Sequence, residues 1–555
     1  MHPYRYYLIL VVLPILIALS AVTAASQSLR QSGQSNAGMV SAAHPLATDA
    51  GVAILELGGN AADAAVAAGF AVAVVEPTMN SIGGRNQILI RTPDGEFHGI
   101  DGTTQAPWDY DYDTAPQASY GYPVIGVPGA LAGLLKLHEE HGSLPLSTLM
   151  ASAIDLAQNG FRVLPQDAIR QASGLAQAKE FPGTIDAYYR GGENGYRAGE
   201  LLVQPDYAKT LSLIASEGRE VFYEGEIATR MAADLAANGS AVTLEAFNDY
   251  VAEDSRIVRG SYRGYELVGM GIPAAGVLSI QALQIMEEFE PSSMSEAEWF
   301  AVTGQALSLA SRELRVLGTD TAAARATSKD WANQLAREVA SPNNSAPTAD
   351  SNSLPTLEDR GDLFGGHTTH LSTADENGMF VSLTQTLGPN MGSKVVTPGL
   401  GFLYASTLGG YLGRMEPGER VRSNICPFMV LKDGEVILVL GAAGGGMIPP
   451  AVVHAITRVI DFGMSLPQAL VEPRVVAARG GGYSAETSPG IGWTTPELEE
   501  MRDLGIEVAE TARTGAFGRV HGIQFDPATR TWTGAADPDW EGTARGPAMI
   551  RTRGR

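Results

Sequence analysis

The sequence predicts an α/β protein, and three observations carry the prediction. Residues 87–91 with 96–100, and 368–373 with 379–386, alternate apolar and polar side chains about tight turns, the pattern of hairpin strands. Long stretches between them repeat apolar residues at helical spacing. At 263–276 and 438–450 a β-rich run passes through Gly and Pro into a helical pattern. With 555 residues, 45 % hydrophobic and 18 % charged, the chain is long enough for several layers of core.

Taken in order, the chain begins with His2 and Arg5, the apolar run 8–19 and the small residues Ala21-Val22-Thr23-Ala24-Ala25. This reads as a secretory signal over 1–24, cleaved near Ala24; the alternative is an uncleaved anchor, since 6–22 approaches spanning length. Either way the chain is exported, secreted or periplasmic, and a cleaved signal leaves no stable membrane insertion. A strand from Met39 ends near Pro45, and the following helix sets Ala50, Ala53, Ile54 and Leu57 on one face. Gly58-Gly59-Asn60 separates it from a helix over 61–75, whose Ala and Val content predicts burial on all sides. Glu76-Pro77 ends that helix.

The turn Asn80-Ser81-Ile82-Gly83-Gly84-Arg85 precedes the first hairpin, where Pro93-Asp94-Gly95 reverses the chain and His98 has a structural place. Residues 122–133 read as a strand entering a helix, and 131–237 as largely helical. A strand over 263–270 leads into helices at 277–289, 296–317 and 329–339. The polar residues 341–362 have no hydrophobic period and read as an exposed linker.

Composition excludes several functions. The balance of 38 basic and 61 acidic residues, a net charge of −23, argues against a nucleic-acid surface. A single cysteine, Cys426, excludes an intramolecular disulfide framework and reads as a small buried hydrophobe. The nine His are scattered, and His367 and His370 lack a nearby acidic or thiol partner, so no metal and no cofactor are expected.

Chemistry enters at the second hairpin. An Asp375-Glu376-Asn377-Gly378 turn pairs Asp375 with Met379, and counting down the ladder sets Thr368 opposite Thr386. A Thr hydroxyl is a poor nucleophile until a base takes its proton, and an N-terminal Thr supplies that base through its own α-amine. Such an amine exists only after cleavage between His367 and Thr368. Farther on, the Gly turn after 438–440 offers backbone N–H groups that suit a developing oxyanion, or a turn needed only for packing.

These pieces together resemble the gamma-glutamyltransferases, which are N-terminal nucleophile hydrolases. The resemblance runs from about Gly38 to Pro547 and rests on Ser41-Ala42-Ala43-His44-Pro45, Gly58-Gly59-Asn60-Ala61-Ala62-Asp63, Gly126-Val127-Pro128-Gly129, Thr368-Thr369-His370-Leu371-Ser372 and Gly534-Ala535-Ala536-Asp537-Pro538. It implies a four-layer αββα sandwich and a precursor maturing into a large subunit, 25–367, and a small one, 368–555. It also implies Thr368 as nucleophile, Thr386 as the supporting Thr, and Gly444 and Gly445 as the oxyanion glycines.

The implied substrate clamp is altered. Thr103 stands where the family has an Arg for the substrate α-carboxylate, Gly409-Gly410 where an Asp holds the α-amine, and Gly388 where an Asn is expected; Ser423-Asn424 replaces a Ser pair. Losing both charge-assisted contacts removes roughly 1.5–3 kcal/mol each. Arg422, beside Ser423, and Arg85, in the Gly turn, are the candidate replacements. The resemblance therefore implies an acyl-transferring amidohydrolase acting on a small-molecule amide or peptide other than a standard gamma-glutamyl compound. The other readings are a true gamma-glutamyltransferase with a rebuilt clamp, or an uncleaved binding protein with the same fold.

Overall fold

Two seven-stranded antiparallel sheets face each other across an apolar seam that includes Met39, Leu89, Phe380, Met429, Val439 and Ile523. The computed structural model describes residues 31–314 except 191, 324–339, and 367–547 except 411, 478–481, 488–491 and 513–516. The signal segment and the polar stretch 341–362 lie outside the described residues.

The first sheet runs Thr543–Arg545, Gly38–Ala42, Thr369–Asp375, Phe380–Thr386, Arg85–Arg91, Phe97–Gly102, Glu253–Asp254, with the predicted Thr368 hairpin near its centre. The facing sheet runs Ser32–Ser35, Thr531–Ala536, Arg519–Asp526, Glu435–Ala443, Phe428–Lys432, Tyr265–Met270, Ile257–Tyr262. Each sheet buries its outer face under helices. Pro45–Glu56, Ala61–Val75 and Ala130–His141 cover the first, and Gly276–Met286 and Ile448–Phe462 the second, with Leu146–Asn159 and Glu296–Leu314 packed on those helices. The result is the four-layer αββα sandwich.

Local chemistry explains the central helix. Asn60 and Asp63 form a reciprocal capping box, and all fifteen residues of Ala61–Val75 are buried, as the composition predicts. Two expectations change. In Pro45–Glu56 the inward face is Ala47, Thr48, Ala50, Gly51 and Ile54, while Leu57 is 65 % exposed because it caps the helix beyond its last turn. The strand read near 122–127 is a 3-10 turn, Tyr122–Val124, followed by isolated bridges of Ile125 and Val127. Pro123 and Pro128 lack the N–H that a continuous ladder needs.

Candidate active site

Register builds the site. Thr369 pairs with Gln385, so the next pair outward is Thr368 and Thr386, and Thr368 donates to Thr386 across 3.1 Å between their Oγ1 atoms. Thr386 Oγ1 also accepts from the Gly388 N–H at 2.9 Å. With both donors aimed at it, the Thr386 oxygen is a fixed acceptor for the Thr368 proton. Both threonines are 2 % exposed. Thr368 sits at φ 155°, a region that β-branched residues rarely occupy.

The row continues across the sheet. Thr386 pairs with Arg85 on the third strand, and the Asn86–Gly102 pair carries the register on to Arg85 and Thr103. Directly opposed residues project to the same side, so Thr368, Thr386, Arg85 and Thr103 line the face turned toward the other sheet. Alternation confirms the sides. His370, two residues from Thr368, packs against Gly441 of the facing sheet, whereas Thr369 donates to Glu76 at the end of the Ala61–Val75 helix.

The glycine turn approaches the same end. Ser382 donates to the Leu440 carbonyl and Gly441 meets His370, so the facing strand advances toward Thr368 as it reaches Gly444. Gly444 and Gly445 have φ 140° and 57°, and a Cβ on Gly444 would stand 2.8 Å from Gly518 Cα. Asn424 lies against this turn, its Nδ2 4.0 Å from where a Cβ on Gly446 would sit, while Ser423 Oγ accepts from Ile425 N.

Thr103 is enclosed. Its hydroxyl donates to Asp101 at 2.5 Å and its carbonyl accepts from Tyr250 at 2.6 Å. Arg420 lies 3.7 Å from Asp101 and 3.1 Å from Glu253. Arg422 is instead 55 % exposed, with Glu419 3.9 Å away. Gly410, at φ 84°, would drive a Cβ to 2.4 Å from Gln117. Cys426 is buried against Ser279, and burial pushes its thiol up to about 12. Among the described residues no group of three or more His, Cys, Asp or Glu side chains is arranged to hold a metal ion.

A buried polar cluster behind Thr368 was missed from the sequence. Glu76 accepts from Thr369 at 2.6 Å and from Trp540, whose ring is met by the guanidinium groups of Arg170 and Arg519. Arg170 also reaches His367 Nδ1 at 3.0 Å. Burial raises the Glu76 carboxyl above its usual range, Asp167 to about 8 and Glu541 to about 7, and lowers His521 to about 4. Its members are scattered from Glu76 to Glu541 without motif spacing; Glu76 reads in the sequence only as a helix end.

The chain is similar to known proteins over most of its length. The family model described as Gamma-glutamyltranspeptidase matches residues 47–546. An acylase ACY 1 proenzyme from Pseudomonas sp. strain V22 is 32 % identical, covering 93 % of this chain and 92 % of the relative. A glutathione hydrolase proenzyme from Escherichia coli K12 is 30 % identical over 79 % of this chain and 80 % of its own length. The crystal structure of a cephalosporin acylase from Bacillus halodurans superposes with TM-score 0.83 at 26 % identity, covering 94 % of this chain and 97 % of the other.

Proposed function

The chain belongs to the gamma-glutamyltranspeptidase family of hydrolases and acyltransferases, and on that premise we propose that it is an N-terminal threonine amidohydrolase with Thr368 as nucleophile. The observation that carries this reading is the buried Thr368–Thr386 hydroxyl pair, fixed at 3.1 Å by strand register.

In the proposed cycle the precursor is cut between His367 and Thr368, giving a large subunit over 25–367 and a small one over 368–555 after removal of the signal at 1–24. Relatives named proenzymes support a processed precursor. The new α-amine takes the Thr368 hydroxyl proton as Oγ1 attacks the amide carbonyl carbon. Gly444 and Gly445 offer N–H groups to the tetrahedral oxyanion. The amine proton passes to the leaving nitrogen, the C–N bond breaks and an acyl ester remains. Water, deprotonated by the same amine, then releases the acid; an amine in place of water gives transfer.

The substrate is a small-molecule amide or peptide, with no cofactor and no nucleic acid involved, and the enzyme works outside the cytoplasm. Standard gamma-glutamyl compounds fit poorly, because Thr103 and Gly410 supply neither charge of the family clamp. Proteins named acylases stand beside glutathione hydrolases among the similar proteins, so an acylase reaction is within the range that their names cover. Denaturing gels test the reading: wild type gives two fragments, the smaller beginning at Thr368, and T368A gives one. A single full-length wild-type band contradicts it.

A further inference from the structure

We propose that Arg170 is a positioning residue for self-maturation: it holds His367, the residue before the bond to be cut, and has no part in turnover by the matured enzyme. The inference rests on cleavage between His367 and Thr368 by the Thr368 hydroxyl. In that step Oγ1 attacks the His367 carbonyl carbon, the C–N bond between the two residues breaks, and the hydroxyl proton goes to the departing nitrogen. That leaves the α-amine, and water then hydrolyses the ester, freeing the His367 carboxylate and restoring the Thr368 hydroxyl. No α-amine exists before the cut, so the precursor depends on how closely the carbonyl is held against the hydroxyl.

The polar cluster grips both neighbours of Thr368. On one side, Arg170 Nη1 donates to His367 Nδ1 at 3.0 Å. A guanidinium only donates, so Nδ1 accepts and the neutral ring carries its proton on Nε2. On the other side, Thr369 donates to Glu76 at 2.6 Å. The two grips are joined, because Trp540 donates to Glu76 and its ring centre lies 4.7 Å from the Arg170 guanidinium. His367 and Arg170 are 6 % and 2 % exposed, so water competes little for their contact. The helix that carries Arg170, Pro165–Ala178, is fixed to the site a second time. The Arg170 carbonyl accepts from Asn390, in the loop that follows Thr386, at 2.9 Å. One helix thus ties the residue before the cut to the strand end that bears the partner of Thr368. Cutting the chain detaches His367 from Thr368, while the Thr369–Glu76 grip stays with the hydroxyl. The Arg170 contact therefore acts on the cut and not on later turnover.

The test follows full-length chain made by cell-free synthesis, sampled over time on denaturing gels. Wild type is cut before Thr368. R170M, which keeps the length of the side chain without its donors, and H367L each slow the cut by about 10- to 100-fold, the scale of one hydrogen bond to a charged group. H367Q, whose Oε1 accepts from Arg170 in place of Nδ1, stays within about fivefold. The double variant R170M/H367L is little slower than either single one, since both remove the same contact. Turnover per matured molecule of R170M and of H367L stays within about threefold of wild type. Tm values in a T368A background, where every chain is uncut, show that the precursors are folded; where R170M lowers that Tm, the H367L and H367Q rates decide. Slowing that multiplies in the double variant, or turnover lost as heavily as cutting, gives Arg170 a general structural role and overturns the proposal. Wild type cut elsewhere or not at all overturns it together with the Thr368 reading. Cutting before Thr368 at the wild-type rate in both R170M and H367L overturns this proposal alone.

Discussion

The two ends of the row Thr368–Thr386–Arg85–Thr103 differ in what their polar atoms face. At the Thr368 end they are arranged for a reaction: one hydroxyl donates to another, which is held by a backbone N–H. At the Thr103 end they satisfy one another, through Asp101, Tyr250 and Arg420. Strand register and a hairpin turn bring Thr368 and Thr386 together at the reactive end. The recognition end depends on individual side chains, which change without disturbing the ladder. The fold therefore fixes the reaction more tightly than the substrate.

Breaking the reactive end has the largest effect. With Thr368 as the proposed nucleophile, T368A stays uncut and its amide turnover falls by at least about 10³-fold; steady-state assay with gel analysis measures both. T386V keeps the volume but removes the hydroxyl that holds the Thr368 hydroxyl in place, and kcat falls about 10²-fold with KM little changed.

The recognition end responds differently. T103R, which restores the family's residue type, does not confer gamma-glutamyl turnover. It sets a second buried cation beside Arg420 and costs about 3–5 kcal/mol, read as a lower denaturant midpoint. A stable T103R that hydrolyses gamma-glutamyl-p-nitroanilide would show that this end is open after all.

Smaller effects sharpen the same contrast. Burial raises Asp167 from 3.8 to about 8, so the folded protein holds its proton across that interval. Its stabilising contribution is complete below about pH 3.8 and is lost as pH rises through about 8. D167N, permanently neutral and still able to accept from Thr78, shows a shallower fall of Tm between pH 5 and 8 than wild type, with about that window set by the same shift. R422A changes kcat/KM for every amide by less than about twofold, since an exposed ion pair contributes little.

The readable parts of the sequence share a physical character. The Asp375–Gly378 turn, at Gly378 φ 90°, and the alternation on either side were enough to pair Thr368 with Thr386. The same reading failed to see the strand Ile257–Tyr262, whose turn to Tyr265–Met270 pairs Arg263 at φ 47° with Gly264. Arg at the first turn position hides the usual Asn-Gly or Asp-Gly signal. Long-range chemistry was less visible still. Trp540 meets Glu76 464 positions away, and Arg170 meets His367 across 197; only folding brings such pairs together. Arg85 read as one of two candidate cations, and the register that set it beside Thr386 distinguished it from Arg422.

The most direct test of the central claim is intact-mass and N-terminal analysis of the purified protein, before and after brief incubation with an acyl p-nitroanilide that it turns over. A small chain of residues 368–555 gains one acyl mass on Thr368, and T368A gains no such adduct. A single uncut chain, or an adduct on any other residue, contradicts it.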